Sequence, residues 1–307
     1  MTPRLQWISL ALCAALLLLG ASAAFAGGDE KAPVIVTPGW LAAHLKDPDL
    51  VVLNVSTSVR NYRQGHIPGA RFLWYNAFSV ATQELNAELV PADRLDTLLE
   101  GLGVSSTSRI ILCGVGGNVS FTARGYVTLD YLGLGDHTSI LDGGFEAWKA
   151  AGNPVSKETP VYARGSLRHR IKGDAVVDAD FVKSNLNTTG LSIVDARAPN
   201  FYNGIGGGFP RPGRIPGAHN VYFATLYDST DRFLPLDSLK ARFTSAGVKP
   251  EDEVITYCHV GQTASSAYVA AKLLGHRVHL YDGSFEDWSG REDLPVYVEP
   301  KKDPPKK

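Results

Sequence analysis

Residues 254–264 read VITYCHVGQTA: an apolar run ends at Cys258, a short loop follows, and a helix-like pattern then begins. This order predicts a strand, a loop and a helix N-terminus, with the thiol at the mouth of the turn. Backbone N–H groups of such a loop and the helix dipole create a positive potential that stabilises an anion. The position therefore favours a nucleophilic thiolate at Cys258, whereas an arbitrary cysteine is more often a buried apolar residue.

Three blocks of sequence occur twice in the same order. DGGFEAW (142–148) recurs as DGSFEDW (282–288), GHIPGA (65–70) as GRIPGA (213–218), and LNV (53–55) as VDA (194–196). The offsets are 140, 148 and 141 residues, respectively. Matched blocks in constant order indicate a duplicated domain. The longer middle offset predicts an insertion in the second copy, within the glycine-rich segment 204–212.

Within each copy, apolar strands alternate with amphipathic helices. In the first copy the pattern predicts helices from Thr37 to Leu45 and over 92–102, and strands over 50–55 and 109–113. In the second copy it predicts a helix over 181–186, strands over 191–195 and 253–257, and a later helix with Leu236, Leu239 and Phe243 on its inner face. This alternation implies an α/β fold of two domains, each a mostly parallel sheet flanked by helices. Sites in such sheets form beyond the carboxyl ends of the strands, which is where Cys258 lies.

The expected domains are 33–155 and 173–298, joined by a polar linker over 156–172 in which few apolar residues could pack. Residues 1–26 have the pattern of a signal peptide, with a basic residue, an apolar stretch and an A-x-A cleavage site. The apolar stretch is about a dozen residues long, short of the roughly 20 that span a bilayer. A periplasmic or secreted mature protein is therefore expected, with a disordered tail over 299–307.

The composition gives no indication of nucleic-acid or membrane binding. The chain has 30 basic and 31 acidic side chains, and removing Arg4 with the signal peptide leaves 29 and 31, a formal charge of −2. The eight histidines are scattered, so neither a metal nor another cofactor is expected. After loss of Cys13, only Cys113 and Cys258 remain, too few for a disulfide framework, with a single bridge between them as the open alternative.

The motifs resemble those of the rhodanese family of sulfurtransferases in its tandem-domain form. They are VDAR (194–197), GRIPGA (213–218), the loop from Cys258, and YDGSFEDW (281–288), and the resemblance covers essentially the whole mature chain. The resemblance implies that the Cys258 thiolate takes sulfane sulfur from a small-molecule donor and becomes a persulfide. The persulfide then passes that sulfur to cyanide or to a thiol acceptor.

The predicted substrate-binding residues follow the cysteine and are His259, Val260, Gly261, Gln262 and Thr263. Their N–H groups can converge on the sulfur, Gly261 lets the backbone turn sharply, and Thr263 can cap the next helix. Arg197 is a further candidate for binding the donor anion, with Asp195 supporting it. A purely structural pair of Asp195 and Arg197 beneath the loop is the favoured alternative.

The first copy is predicted to lack the nucleophile. Aligning residues 110–112 with 254–256 pairs Gly114 with Cys258 and Cys113 with Tyr257. Cys113 is therefore expected to be a core residue. In tandem members of the family the first domain is typically inactive and packs over the site.

Thiosulfate is the expected donor, with 3-mercaptopyruvate as the alternative. Phe201 stands where thiosulfate-specific members often have arginine, and the glycine and small residue that follow the cysteine in mercaptopyruvate-specific members are absent. A compact dianion gains most from converging N–H groups and from a partly protonated His259. Arg211 and Arg214 could replace the missing charge, although solvated surface arginines are the default interpretation.

Two other functions were compared with sulfur transfer. A persulfide carrier without turnover would share every motif. A cysteine phosphatase needs an arginine about six residues after the cysteine, where this chain has Ala264 and Ser265. The sequence does not define the physiological acceptor or the oligomeric state, for which a monomer is the expectation.

Overall fold

The computed structural model describes residues 31–117 and 119–299. The expected signal peptide, and the expected tail beyond Glu299, lie outside the described residues. Strands are β1 (Ile35–Val36), β2 (Leu50–Ser56), β3 (Arg71–Trp74), β4 (Ser79–Val80), β5 (Glu88–Leu89), β6 (Arg109–Gly114), β7 (Thr138–Leu141), β8 (Val176–Val177), β9 (Leu191–Asp195), β10 (His219–Asn220), β11 (Glu253–Tyr257) and β12 (Val278–Tyr281).

Helices flank the sheets of both domains. They are α1 (Pro38–His44), α2 (Val59–Gln64), α3 (Ala92–Gly101), α4 (Val119–Tyr131), α5 (Gly144–Ala150), α6 (Ala179–Ser184), α7 (Pro199–Tyr202), α8 (Leu236–Ala246), α9 (Ala264–Leu273) and α10 (Ser284–Gly290). Short 3₁₀ helices span Gly135–His137 and Phe223–Leu226. No helix of residues 31–117 and 119–299 is long and apolar enough to cross a membrane.

Each domain has a five-stranded parallel sheet, so the predicted α/β fold is confirmed. The strand order is β1-β7-β6-β2-β3 in the first domain and β10-β9-β11-β12-β8 in the second. The two sheets share one topology. Written in reverse, the second order is β8-β12-β11-β9-β10, and each of its strands corresponds to the strand at the same place in the first order. The antiparallel pair β4-β5 is an addition of the first domain.

Most predicted elements agree with the structure within a few residues. The strands predicted over 191–195 and 253–257 match β9 and β11, and Thr37 accepts a capping hydrogen bond from Trp40 N at 3.1 Å. The helix predicted over 181–186 instead spans Ala179–Ser184, because Asp178 caps it by accepting from Phe181 N.

One predicted core residue is on the surface. Leu239 and Phe243 of α8 are buried, but Leu236 is 56% exposed. Leu236 is the first residue of α8, one turn ahead of the first residue that reaches the core. The prediction of three inward-facing residues was therefore wrong for Leu236.

The segment 156–172 has no helix or strand, but it is fixed along the first domain. Gly165 N donates to Glu100 O at 2.8 Å, and Arg170 N donates to Leu132 O at 3.1 Å. Leu167 is buried in the same core cluster as α3 and β6 residues. Leu167 is the one buried apolar side chain described in this segment, since Val161, Tyr162 and Ile171 are exposed, so few of its apolar residues pack, as expected.

The two domains share a core through α4 and α9, which pack against each other. All residues of α4 from Thr122 to Asp130 are buried, including two charged side chains. Both charges find partners in the second domain: Arg124 pairs with Asp282, and Asp130 accepts from Tyr268 Oη at 2.6 Å. Because a buried charge needs a partner, these contacts fix how α4 meets the second domain.

Candidate active site

Cys258 lies at the carboxyl end of β11, and residues 259–263 connect it to α9. Its backbone is held on both sides, since its N–H donates to Ser284 Oγ at 3.1 Å and its carbonyl accepts from Phe285 N at 3.1 Å. The residue is only 1% exposed. The predicted strand, loop and helix around the thiol are therefore present, and Cys258 is buried.

Gly261 turns the loop sharply, as predicted. Its φ is +76°, a left-handed conformation that glycine adopts without strain. A Cβ at this position would lie 2.7 Å from Asp282 O, so no side chain fits. The next residue ties the loop to the first domain, because Gln262 Nε2 donates to Ser120 O at 2.8 Å.

Thr263 precedes α9 but does not cap it with its side chain. Its φ and ψ are −78° and −21°, and its hydroxyl accepts no capping hydrogen bond. A side-chain cap requires an extended backbone, whereas that of Thr263 is already helical. The predicted capping role was therefore wrong. Val260 is half-buried within the same loop.

His259 packs between two phenylalanine rings. Its ring centroid is 4.7 Å from that of Phe201, edge to face, and 5.4 Å from that of Phe209, stacked. Burial, followed by the positive charge of Arg197, lowers the pKa of His259. The environment thus disfavours the protonated ring, and a role of His259 in binding the donor stays a prediction.

Asp195 and Arg197 form a buried ion pair beneath the loop. Arg197 donates from Nε to both carboxylate oxygens and from Nη2 to Asp195 Oδ2 at 2.6 Å. A second Nη2 bond reaches Gly213 O at 2.8 Å, and Tyr257 Oη donates to Asp195 Oδ2 at 2.6 Å. The pairing of Asp195 and Arg197 beneath the loop is thus observed, and direct contact of Arg197 with a donor stays a prediction.

Neither arginine of the insertion provides the missing rim charge. Arg211 donates to four backbone carbonyl oxygens, those of Trp288, Ser289, Arg291 and Leu294. Arg214 donates to Glu299 at 2.7 Å and lies over the rings of Tyr202 and Tyr297. The prediction that they replace a donor-binding arginine was therefore wrong, because both guanidinium groups are used structurally.

The first copy has the same strand register without the nucleophile. Asp195 pairs with Tyr257 in the second sheet, and Asn54 pairs with Cys113 at the equivalent place in the first. Gly114 therefore stands where the second copy has Cys258, as predicted. Cys113 is fully buried, and that burial raises its thiol pKa far above the usual range. Both cysteines are free thiols.

The loss of the site in the first copy extends below the loop. Asn54 replaces the aspartate, Ser56 replaces the arginine and Cys113 replaces the tyrosine. Neither polar atom of the buried Asn54 side chain has a hydrogen-bond partner among the described residues. The polar support of the site is therefore specific to the second copy.

The segment 282–287 supports the loop that begins at Cys258 and was not identified as functional from the sequence. Ser284 has φ +54°, a strained value for a residue with a side chain. Its Oγ accepts from Cys258 N and donates to Tyr281 O at 2.9 Å. The available signal was the difference between repeats, since Gly144 occupies this position in the first copy, with φ +55°.

Comparisons with known proteins agree with this architecture. The family described as the rhodanese-like domain matches residues 37–151 and again 178–291. The chain is 29% identical over 265 residues to a thiosulfate sulfurtransferase of Azotobacter vinelandii, covering 86% of this chain and 97% of that protein. It is 32% identical over 283 residues to a probable 3-mercaptopyruvate sulfurtransferase of Pseudomonas aeruginosa, covering 85% of this chain and 97% of that protein.

A solved structure gives the same result. The crystal structure of a 3-mercaptopyruvate sulfotransferase of Escherichia coli superposes with a TM-score of 0.73 at 28% identity, covering 82% of this chain and 99% of that chain. Both repeats are matched, in sequence and in fold. The chain therefore belongs to the rhodanese family of sulfurtransferases, in its two-domain form.

Proposed function

We propose that this protein is a thiosulfate sulfurtransferase in which Cys258 is the nucleophile. The observation that carries the proposal is the position of Cys258 between the carboxyl end of β11 and the N-terminus of α9. Loop N–H groups and the helix N-terminus stabilise negative charge at such a position. Both the attacking thiolate and the persulfide carry that charge.

The proposed reaction has two displacement steps. The Cys258 thiolate attacks the sulfane sulfur of thiosulfate, the sulfur–sulfur bond breaks, and sulfite leaves with its electron pair. The enzyme then carries a cysteine persulfide. Cyanide attacks the outer sulfur, thiocyanate forms, and the Cys258 thiolate leaves with the electron pair of the broken bond. A thiol acceptor would enter at the second step.

Arg197 contributes to this chemistry through its electric field. The guanidinium is buried beneath the loop and is close enough to His259 to lower the pKa of that ring. The charge of Arg197 is partly offset by Asp195, so the loop N–H groups supply the larger share of the stabilisation.

The proposed preference for thiosulfate rests on the walls of the site. Phe201 and Phe209 pack against His259, the residue after Cys258, and Cys258 itself is 1% exposed. A keto acid would gain most from a free guanidinium that binds its carboxylate in a bidentate manner. Arg211 and Arg214 are committed to other partners. A compact dianion needs only converging N–H groups.

The second candidate is 3-mercaptopyruvate sulfurtransferase activity, which the 32% identical relative of Pseudomonas aeruginosa favours. We also propose that the protein acts as a monomer on small molecules, with neither nucleic acid nor membrane as a partner. The leader pattern over 1–26 supports export to the periplasm or the medium.

Steady-state thiocyanate formation tests these proposals. The unaltered protein is assayed with cyanide and either thiosulfate or 3-mercaptopyruvate as the donor. We expect sustained turnover, with the higher kcat/KM for thiosulfate. A higher kcat/KM for 3-mercaptopyruvate would reverse the donor assignment. A single stoichiometric release of sulfur with both donors would identify a persulfide carrier instead.

A further inference from the structure

We infer that Arg124, on α4 of the first domain, is a positioning residue for the catalytic loop of the second domain. The inference rests on the proposed role of Cys258. It gives the copy without a nucleophile a specific part in sulfur transfer, namely holding the loop that carries the thiol in its anion-binding conformation.

Arg124 makes a buried ion pair across the domain interface. Its side chain is fully buried, and Nη1 donates to Asp282 Oδ1 at 2.5 Å. Nη2 donates to Ala87 O at 2.9 Å, within the first domain. The other oxygen of Asp282 accepts from Leu89 N at 2.7 Å. Among the residues that the structure describes, the hydrogen bonds to the Asp282 carboxylate all come from the first domain.

The ion pair touches the catalytic loop directly. A Cβ on Gly261 would lie 2.8 Å from Asp282 Oδ1 and 3.2 Å from Arg124 Nη1. The left-handed turn at Gly261 thus packs closely against the Arg124–Asp282 pair, with no space for a side chain. Displacing either charged group removes the surface against which Gly261 takes its conformation.

The same segment also holds the backbone of the nucleophile. Two and three residues after Asp282, Ser284 Oγ accepts from Cys258 N and Phe285 N donates to Cys258 O. Glu286 N donates to His259 O at 2.9 Å. Arg124 fixes the start of this segment, and the segment fixes the loop on both sides of the thiol.

The internal repeat provides a comparison within the molecule. In the first copy Asp142 is the equivalent of Asp282, and it accepts from Phe233 N at 3.2 Å. Asp142 has no salt bridge among the described residues. Burial, the largest influence, raises the pKa of its carboxyl, while the exposed Arg232 of the second domain lies close enough to lower it in part. If the arginine served only to hold the interface together, either copy could carry it. The buried Arg124 instead pairs with the aspartate of the copy that has the cysteine.

Loss of the ion pair is expected to act by displacing the loop, and not by a long-range electrostatic effect on Cys258. Arg124 and Asp282 neutralise each other, so their net field at Cys258 is small. Loop N–H groups stabilise the developing charge only when they converge on the sulfur, and a misplacement of about 1 Å can reduce a rate by ~10²-fold. Loss of the pair should therefore reduce thiolate stabilisation as well as activity.

The test compares Arg124→Met and Arg124→Lys with Asp142→Asn as the matched control from the other copy. Thiosulfate:cyanide activity is measured across pH, well below the unfolding temperature of each variant. For Arg124→Met we expect kcat/KM to fall by about tenfold or more, with the acidic limb of the pH profile moved to higher pH. Arg124→Lys keeps the charge but cannot span Asp282 and Ala87, so an intermediate loss is expected. Asp142→Asn should leave both activity and the pH profile unchanged.

The outcomes separate this inference from the proposed function. Unchanged kcat/KM and pH profile in a folded Arg124 variant, with only a lower melting temperature, would overturn the positioning role. If Arg124→Met does not fold, the kcat/KM and pH profile of Arg124→Lys provide the same test of the positioning role. Full activity of Cys258→Ser would instead remove the proposed function, whatever the Arg124 variants show.

Discussion

Leu89 donates its backbone N–H to Asp282 Oδ2 across the domain interface at 2.7 Å. The repeat contains the reciprocal contact, in which Phe233 N of the second domain donates to Asp142 Oδ1 of the first at 3.2 Å. The donors are 144 residues apart and the acceptors 140. Each domain therefore closes over the end of the other's sheet, and only one of the two ends carries a cysteine.

Replacing the cysteines should separate the two copies. Cys258→Ser is expected to abolish thiocyanate formation, because an alcohol does not ionise at neutral pH and cannot form a persulfide. Cys113→Ser should keep activity within a few-fold, because Cys113 is buried in the core of the first domain. Loss of activity in Cys113→Ser, with an active Cys258→Ser, would reverse the assignment of the working domain.

Gly261→Ala should reduce kcat/KM and the melting temperature more than an alanine substitution at another glycine with positive φ. The matched control is Gly275→Ala, since Gly275 has φ +89° and nothing within 4 Å of an added Cβ. Both variants incur about 1–2 kcal/mol for a left-handed alanine, but only Gly261→Ala also clashes with Asp282. Melting temperature and kcat/KM are measured for both. Equal activity in the two variants would argue against a close-packed loop.

His259→Ala should change the Michaelis constant for thiosulfate by a similar factor at pH 7 and pH 8. Burial and Arg197 lower the pKa of the ring, so it is neutral over this range and contributes packing rather than charge. The measurement is KM at both pH values for the variant and the unaltered protein. A much larger effect at the lower pH would mean that a protonated His259 binds the donor.

Glu88 should make stability depend on pH. Burial, followed by the charge of Asp282, raises the pKa of Glu88 from 4.5 to about 7. The folded protein therefore binds a proton here more tightly than the unfolded chain, so the free energy of unfolding contributed by Glu88 falls as the pH rises from 4.5 to about 7. Above that range the ionised carboxylate destabilises the fold.

Glu88→Gln should accordingly raise the melting temperature at pH 8, by roughly 2 °C, and have little effect at pH 4.5. Glu84→Gln, at an exposed position nearby in the chain, serves as the control. Thermal unfolding of the three proteins at both pH values gives the comparison. An equal shift at pH 4.5 and pH 8 would indicate that Glu88 does not titrate between them.

Strong local patterns made much of the fold predictable. The strands that lead to Asp195 and Cys258 are mostly apolar runs, and their limits were predicted to the residue. The alignment of the two copies also predicted that Gly114 replaces Cys258, which the strand registers confirm. Gly261 was identified because a tight loop before a helix needs a residue that tolerates positive φ.

The failures concern interactions between distant segments. Phe209 reaches His259 from an insertion with no periodicity, and four of its glycines have positive φ. The charge state of His259 depends on that burial, so the residue type alone could not predict it. Arg124 lies 158 residues from its partner Asp282, within a helix that is buried along most of its length. No local pattern indicates such a pairing.

The most direct test of the central claim is the location of the transferred sulfur. The protein is mixed with thiosulfate without cyanide, digested under non-reducing conditions, and the peptides are measured by mass spectrometry. We predict the added mass of one sulfur atom on the peptide that contains Cys258, none on the peptide with Cys113, and loss of the added mass after cyanide is supplied. Sulfur on Cys113, or turnover without sulfur on Cys258, would contradict the account.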